Sequence, residues 1–395
     1  MAVKCRQYRA AVSSCAGRNE ALVQPLLFTP LPLRSVVAPN RVVISPMVQY
    51  RATDGFANDY HLVHLGKFAL GKAGTVFTEN VAVEPRGRVT QGDLGLWSDD
   101  HIAGLKCVAS FIKAEGALAA TQITHSGRKG STPRAFEGAV LNETHAANGW
   151  HPWEVVGPTS DPAAPGWLRP RQLTAADIGD LVSGFATAAR RADAAGFDVL
   201  EIHGAHGYLL ASFLSPVSNT RNDAYGGDRA GRMRFPLDVT RAVRVAWPAH
   251  KPLFFRVSSL DGADGWNLDD TVALARELKA VGVDVVDCSS GGLTGAATAA
   301  PIKRSPGFQV PFAARVRREA EVMSMAVGLI LDGPQAEAVL QAGDADLIAI
   351  GRQALYEPFW ALHAAQALGC DPNYTMWNPE YGWWLEKREH ALGRR

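Results

Sequence analysis

Two imidazoles and a phenol fall within six residues of this chain, at His203, His206 and Tyr208. They follow the run Phe197-Asp-Val-Leu-Glu-Ile202, which reads as a short buried strand. Imidazole changes charge near neutrality, and a phenol can protonate a strongly basic carbon. A strand that delivers all three to one loop therefore marks a place where oxygens are held or protons moved. Three chemistries suit the cluster. Imidazoles three residues apart on a turn can share a metal ion, although zinc takes a third protein ligand and Glu201 is not an obvious one. The two histidines can be satisfied structural groups. Or they can donate hydrogen bonds to an oxyanion, with Tyr208 as the acid beside them.

Other predicted strand ends carry polar groups of a related kind. Gln122 is a planar amide on the third strand, and Arg256 lies near the end of the fifth. Ser45, Pro46 and Met47 end the first, with Tyr50 just beyond. Gly328-Leu329 closes the seventh, and Gly351-Arg352 follows the eighth. Loops after the last two strands of a barrel commonly hold phosphate on backbone N–H groups; glycine allows close approach and arginine adds a forked cation. An amide and an arginine facing a barrel mouth suit a flat, heteroatom-edged, anionic ligand with a phosphate tail, and a reduced flavin fits that description. A second phosphate motif is a decoy. Gly66 to Lys72 matches most of a P-loop, but Ala73 stands where the magnesium-binding hydroxyl belongs, and the segment ends a helix instead of starting one.

The elements that must position these groups alternate. Strands are predicted at 41–45, 75–79, 119–124, 199–203, 253–257, 285–289, 326–329 and 347–350. Helical spacing occupies 102–115, 176–195, 271–281, 336–342 and 359–368. Thr174 with Asp177 three residues on reads as a helix start, and Gly196 and Gly282 as helix ends. Eight strands alternating with helices predict a single (β/α)8 TIM barrel over residues 25–395, with its site at the C-terminal face of the strands. No G-x-G-x-x-G follows an early strand, which argues against an open dinucleotide-binding sheet. Residues 126–172 form the longest irregular stretch and are expected to pass over the barrel top. Residues 1–24, basic and without an apolar stretch, are expected to be a disordered extension.

The 395 residues carry a formal charge of +1, so nothing draws the chain to nucleic acid or to an anionic membrane. Five scattered cysteines with no C-x-x-C pair suggest reduced thiols and a cytoplasmic location.

These residues resemble the old yellow enzyme family of FMN-dependent ene-reductases, in the bacterial branch that includes the xenobiotic reductases. The likeness runs from about Leu27 to Arg388. It rests on Asn40 to Met47, Gln122 to Lys129, His203 to Tyr208, Asn219 to Gly227 and Ile350 to Arg352, in that order and spacing. The resemblance implies FMN on the barrel, with NADPH or NADH as hydride donor in the same pocket. It implies that Ser45, Pro46, Met47 and Val48 line one side of the isoalloxazine, with Asn80 near its O4 edge. Gln122 would meet the pyrimidine edge, and Arg256 would stabilise charge near N1. Gly328, Gly351 and Arg352 would hold the phosphate. His203 and His206 would grip the substrate's electron-withdrawing oxygen and Tyr208 would supply the proton. Tyr50 would position the substrate, and Trp384 would form an aromatic wall. The implied reaction reduces the activated C=C bond of α,β-unsaturated carbonyl or nitro compounds. Rival readings are an FMN-dependent dehydrogenase or demethylase on the same barrel, a metal-dependent hydrolase, and a non-catalytic flavin-binding protein. Relatives use the aromatic C-terminal segment, with Trp377, Tyr381, Trp383 and Trp384, at a subunit contact, which implies a homodimer.

The chain departs from the family at Val48, where this branch usually has cysteine and the eukaryotic branch threonine. It departs again at Asn80, which usually reads alanine. Cysteine or threonine can interact with flavin O4, whereas valine offers no donor; the Asn80 amide acts in the opposite direction. The expected outcome is that Val48→Cys raises the midpoint potential of the bound flavin in an anaerobic titration. An unchanged or lower potential would count against this reading of Val48.

Overall fold

Runs with β-branched and aromatic residues at alternate positions build the centre of the protein, because such side chains pack well on a pleated, two-sided surface. The computed structural model describes residues 24–262, 265–295 and 302–394. The extension expected over residues 1–24 therefore lies, through residue 23, outside the described residues.

Eight parallel strands close into a barrel: β1 (Val42–Ile44), β2 (Thr75–Ala82), β3 (Leu118–Thr124), β4 (Val199–Gly204), β5 (Leu253–Ser258), β6 (Val285–Ser289), β7 (Met323–Val327) and β8 (Leu347–Ile350). They pair in chain order, and β8 pairs back onto β1. The predicted barrel is thus the observed one. Two boundaries differ. The seventh strand spans 323–327 and not 326–329, because Gly328 takes φ +119° and leaves the extended conformation. The second runs on to Ala82 through a register shift between Phe77 and Asn80, so Asn80 sits in the strand, opposite Gln122.

The helices between the strands include α1 (Asp59–Leu70), α2 (His101–Ala114), α3 (Ala175–Ala194) and α4 (Leu209–Leu214). Further on come α5 (Arg229–Ala246), α6 (Leu268–Ala280), α7 (Val310–Ala320), α8 (Gly333–Gln341), α9 (Arg352–Tyr356), α10 (Trp360–Ala367) and α11 (Pro379–Ala391). Local chemistry sets their ends. Thr174 and Asp177 exchange hydrogen bonds with each other's backbone N–H in a capping box at the start of α3. Gly196 and Gly282 follow α3 and α6 with φ of +86° and +98°, where a Cβ would be strained. No helix of the described residues is long and apolar enough to cross a membrane.

The period of two divides the barrel interior into layers. Val199, Phe254, Val285 and Met325 form an apolar floor with Leu31, Leu33 and Ala38. The last three belong to an antiparallel pair, Leu31–Leu33 with Val36–Ala38, which plugs the bottom of the barrel. Two residues further along, the same strand faces carry Gln122, Glu201, Arg256 and Asp287. Two further again, at the C-terminal rim, come His203, Ser258 and Ser289. The 126–172 stretch contains a short helix (Glu143–Ala147) and the pair Val156–Gly157 with Arg171–Gln172. It reaches the rim where Phe136 meets Tyr50 edge-on, ring centroids 5.9 Å apart.

Candidate active site

A cavity of about 480 Å³ opens at the C-terminal ends of β1, β5, β6, β7 and β8. Its walls include Ser45, Pro46 and Met47 from the loop after β1, and Gly328, Gly351 and Arg352 after β7 and β8. Arg256 and His206 also line it. Arg304 joins Arg256 and Arg352 as a third lining cation, and no aspartate or glutamate lines it among the described residues. The size suits a cofactor and the charge suits an anion.

Three observations test whether FMN fits. Ser45 Oγ is buried without a hydrogen-bond partner. A Cβ added to Gly351 would meet Met47 Sδ at 3.9 Å and the Ser45 Cβ at 4.0 Å, so this glycine leaves a cradle between them open. The α9 helix starts at Arg352 with no side-chain cap on its first turn. An orphaned hydroxyl, an open cradle and uncapped N–H groups beside Arg352 match a ring system carrying a phosphate tail. The residues fit the group.

His203 and His206 meet beside the cavity. Ala205 N–H donates to His203 Nδ1 at 3.2 Å, which puts the His203 proton on Nε2. His203 Nε2 lies 3.4 Å from His206 Nδ1, and His206 Nε2 lies 2.8 Å from Ser289 Oγ. The chain of contacts therefore assigns an Nε2–H to both rings. Burial, with Arg256 and Lys129 adding repulsion, holds both imidazoles well below the usual histidine range. They are neutral donors.

The backbone around His206 is built to hold it. His206 takes φ +58°, an unfavourable conformation for a residue with a Cβ. Its N–H donates to Ser258 Oγ at 2.9 Å, and Lys129 Nζ donates to its carbonyl at 2.9 Å and to Gly292 O. Lys129 is buried, which pushes its ammonium down to about 7. The Tyr208 ring packs edge-on to His203 at 4.9 Å. Burial first, then Asp93 and Tyr50, pushes its phenol far above the ordinary value, so it keeps its proton.

Tyr50 also has a positive φ, +59°, and Gly92 permits this because a Cβ there would strike the Tyr50 carbonyl at 2.5 Å. Its loop is anchored by Glu79 Oε2, which accepts the Gln49 N–H at 2.6 Å. Val48 adjoins that anchor, half-buried, on the segment between Met47 and Gln49. Burial and the nearby Asp93 push the Glu79 carboxyl up to about 8, and burial pushes His61, 3.9 Å away, down to about 4.

Not every predicted residue reaches the cavity. Gln122 is buried below it with its amide donated to Glu201 Oε1 at 2.6 Å, and Asn80 lies beside it on β2. Trp384, expected as an aromatic wall, is 68% exposed on α11, edge-on to Trp383, and is not among the residues that line the cavity. The segment leading to α11 is tied to the opposite rim, where Met376 borders Asn40, Ala73 and Ala117 just before the starts of three barrel strands. Sequence reasoning missed Ser289, Ser290, Arg304, Phe308 and Gln309 in the lining. Ser289 was within reach, since it shares the inward face of its strand with Val285; the loop residues carry no comparable periodic signal.

The comparisons follow the same site. The family described as NADH:flavin oxidoreductase / NADH oxidase matches residues 26–370. An NADPH dehydrogenase of Geobacillus sp. (strain WCH70) is 40% identical over 91% of this chain and 99% of its own. Morphinone reductase in complex with tetrahydroNAD superposes with a TM-score of 0.71 at 27% identity, over 88% of this chain and 92% of that one. An old yellow enzyme homologue from Zymomonas mobilis shares the fold, with a TM-score of 0.69 at 24% identity over 85% and 90%.

Glu79 supplies a pH test. Its folded-state value lies above the unfolded one, so the native state binds the extra proton, and that stabilisation is lost as pH rises towards 8. Between pH 6.5 and 8.5 the wild type is expected to lose thermal stability relative to Glu79→Gln. A constant difference in Tm across that range would refute a protonated Glu79.

Proposed function

The chain belongs to the NADH:flavin oxidoreductase / NADH oxidase family, the old yellow enzymes, and from that premise we propose that it reduces the activated C=C bond of α,β-unsaturated carbonyl or nitro compounds. It is an NAD(P)H-dependent FMN oxidoreductase. The finer reading rests above all on one observation: His206 lines a cavity that also carries three arginines and, among the described residues, no acid, with His203 3.4 Å behind it and the buried Tyr208 ring edge-on to His203.

When bound, FMN would supply the hydride chemistry that links NAD(P)H to the substrate's β-carbon. Ser45, Pro46, Met47 and Val48 would form one wall for it. Arg256 would offset negative charge on it, with Asn80 and Gln122 as nearby amides. Gly328, Gly351 and Arg352 would hold the phosphate. His203 and His206 each turn an Nε2–H to the substrate's oxygen, giving up the His206 and Ser289 contacts made without it. Their neutrality matters, because a neutral donor polarises the oxygen without the cost of a buried cation. Tyr208 protonates the α-carbon. Its raised pKa keeps the phenol protonated at any working pH, and packing on His203 ties its ring to the group that holds the substrate. Tyr50, whose neighbour Gln49 donates its N–H to Glu79, closes the substrate side. The free thiols at Cys107, Cys288 and Cys370 favour a reducing, cytoplasmic location.

We assign the exposed Trp383 and Trp384 on α11 to contact with a second copy of the chain. Light scattering is expected to report a homodimer, and a monomer would remove this assignment.

The purified protein is expected to be yellow and to bleach with anaerobic NADPH. Tyr208→Phe is expected to slow reoxidation by an enone by about 10²-fold, the lower end of what a positioned acid contributes. Reduction by NADPH should remain near the wild-type rate. Equal loss in both half-reactions would overturn the role given to Tyr208.

A further inference from the structure

Beneath the two histidines the barrel holds charge that the reaction above leaves unused. Glu201, Arg256 and Asp287 stand on the consecutive strands β4, β5 and β6, and Gln122 on β3 completes the row. Arg256 Nε lies 3.1 Å from Asp287 Oδ2, outside hydrogen-bonding geometry. Neither Asp287 oxygen has a hydrogen-bond partner, nor does Glu201 Oε2. Both carboxyls have 0% exposure. Two carboxylates and one guanidinium buried out of reach of bulk solvent leave one negative charge that the row itself does not balance. A single proton on the pair removes the excess.

The surroundings favour that proton. Burial pushes both carboxyls up; Asp287 adds to the rise at Glu201, and Arg256 opposes it at both. The Gln122 amide holds one Glu201 oxygen, and the Cys288 thiol beside Asp287 is pushed up by burial and keeps its proton. Above the row, His203 and His206 are neutral, and Lys129, whose charge reaches both, is weakened by its own burial. Arg256 is the link to the exterior, because it both lines the cavity and pairs with Asp287.

We propose that Glu201 and Asp287 form a proton-accepting pair that takes up one solvent proton whenever a negative charge arrives against Arg256 from the cavity. The proposal rests on the assignment of Arg256 to FMN. Its balance is simple. A hydride from NAD(P)H brings two electrons and one proton, NAD(P)+ leaves, and one negative charge is added on the cavity side. Arg256 then divides its field between that charge and the pair, which loses part of its counterion, and a proton from solvent binds the carboxylate that was still ionised, beside the proton the pair already holds. Two electrons therefore arrive with two protons, one inside the hydride and one on the pair. Reoxidation by hydride transfer to the substrate releases the second. Holding the interior neutral in both states is what the pair contributes to the reaction.

The test is the pH dependence of the midpoint potential of FMN in the holoprotein, whose slope counts protons taken up per two electrons. The wild type is expected to take up two, and the double variant Glu201→Gln/Asp287→Asn, with no carboxyl left in the row, one, so that its slope halves. Each single variant keeps one acceptor and is expected to keep a count of two, which carries the test if the double variant does not fold. A wild-type count of one, a single variant that falls to one, or a slope unchanged in the double variant overturns the pair. Arg256→Met separates the two readings: a shifted potential without the halved slope leaves the Arg256 assignment standing, whereas an unmoved potential overturns both.

Discussion

A closed parallel barrel has no free edge, so every side chain on its inner face must be packed, paired or turned to the open end. That constraint organises this molecule. At the bottom the inner face is apolar and is plugged by the pair Leu31–Leu33 with Val36–Ala38. At the top it ends in imidazole and hydroxyl groups. Between them lies the row Gln122, Glu201, Arg256 and Asp287, where buried polar groups face one another and not bulk solvent.

The site inherits its properties from that layering. His203 and Arg256 are register partners, as are Arg256 and Asp287, so the charged layer lies directly against the donors above it. The positive field from Arg256 and Lys129 helps to keep both histidines neutral. Positive φ at His206 and Tyr50 marks where backbone strain is held by surrounding contacts: Ser258 and Lys129 in one case, Glu79 with the close approach of Gly92 in the other. The positions of His206 and Tyr50 thus rest on buried groups packed behind them.

Much of this was legible from residue order. All eight strands follow from β-branched runs separated by helical spacing, because the period of two and the period of 3.6 are local properties of the backbone. The His203, His206 and Tyr208 cluster is visible because the three lie within one turn of chain. Glu201 and Asp287 are lone acids on apolar strands, yet nothing local says that they share one layer with Arg256. The lining by Arg304, Phe308 and Gln309 was not visible, because a loop's path over a barrel depends on what it packs against. The place of Trp384 was not visible for the same reason: its sequence neighbourhood is aromatic, but the segment before it is held at the opposite rim.

By itself the sequence determined the number and order of the strands, the helix ends set by Thr174, Gly196 and Gly282, and the chemistry available at the strand ends. These are decided by contacts within a few residues. Only the tertiary structure decided which groups share a dry environment. Closure of the barrel brings Glu201, Arg256 and Asp287 into one layer, and burial then sets protonation: Glu79 towards the acid, His203 and His206 towards the neutral ring, Tyr208 towards the phenol. The physical reason is that the cost of a charge depends on the solvent and counterions around it, and those are supplied by strands far apart in the chain.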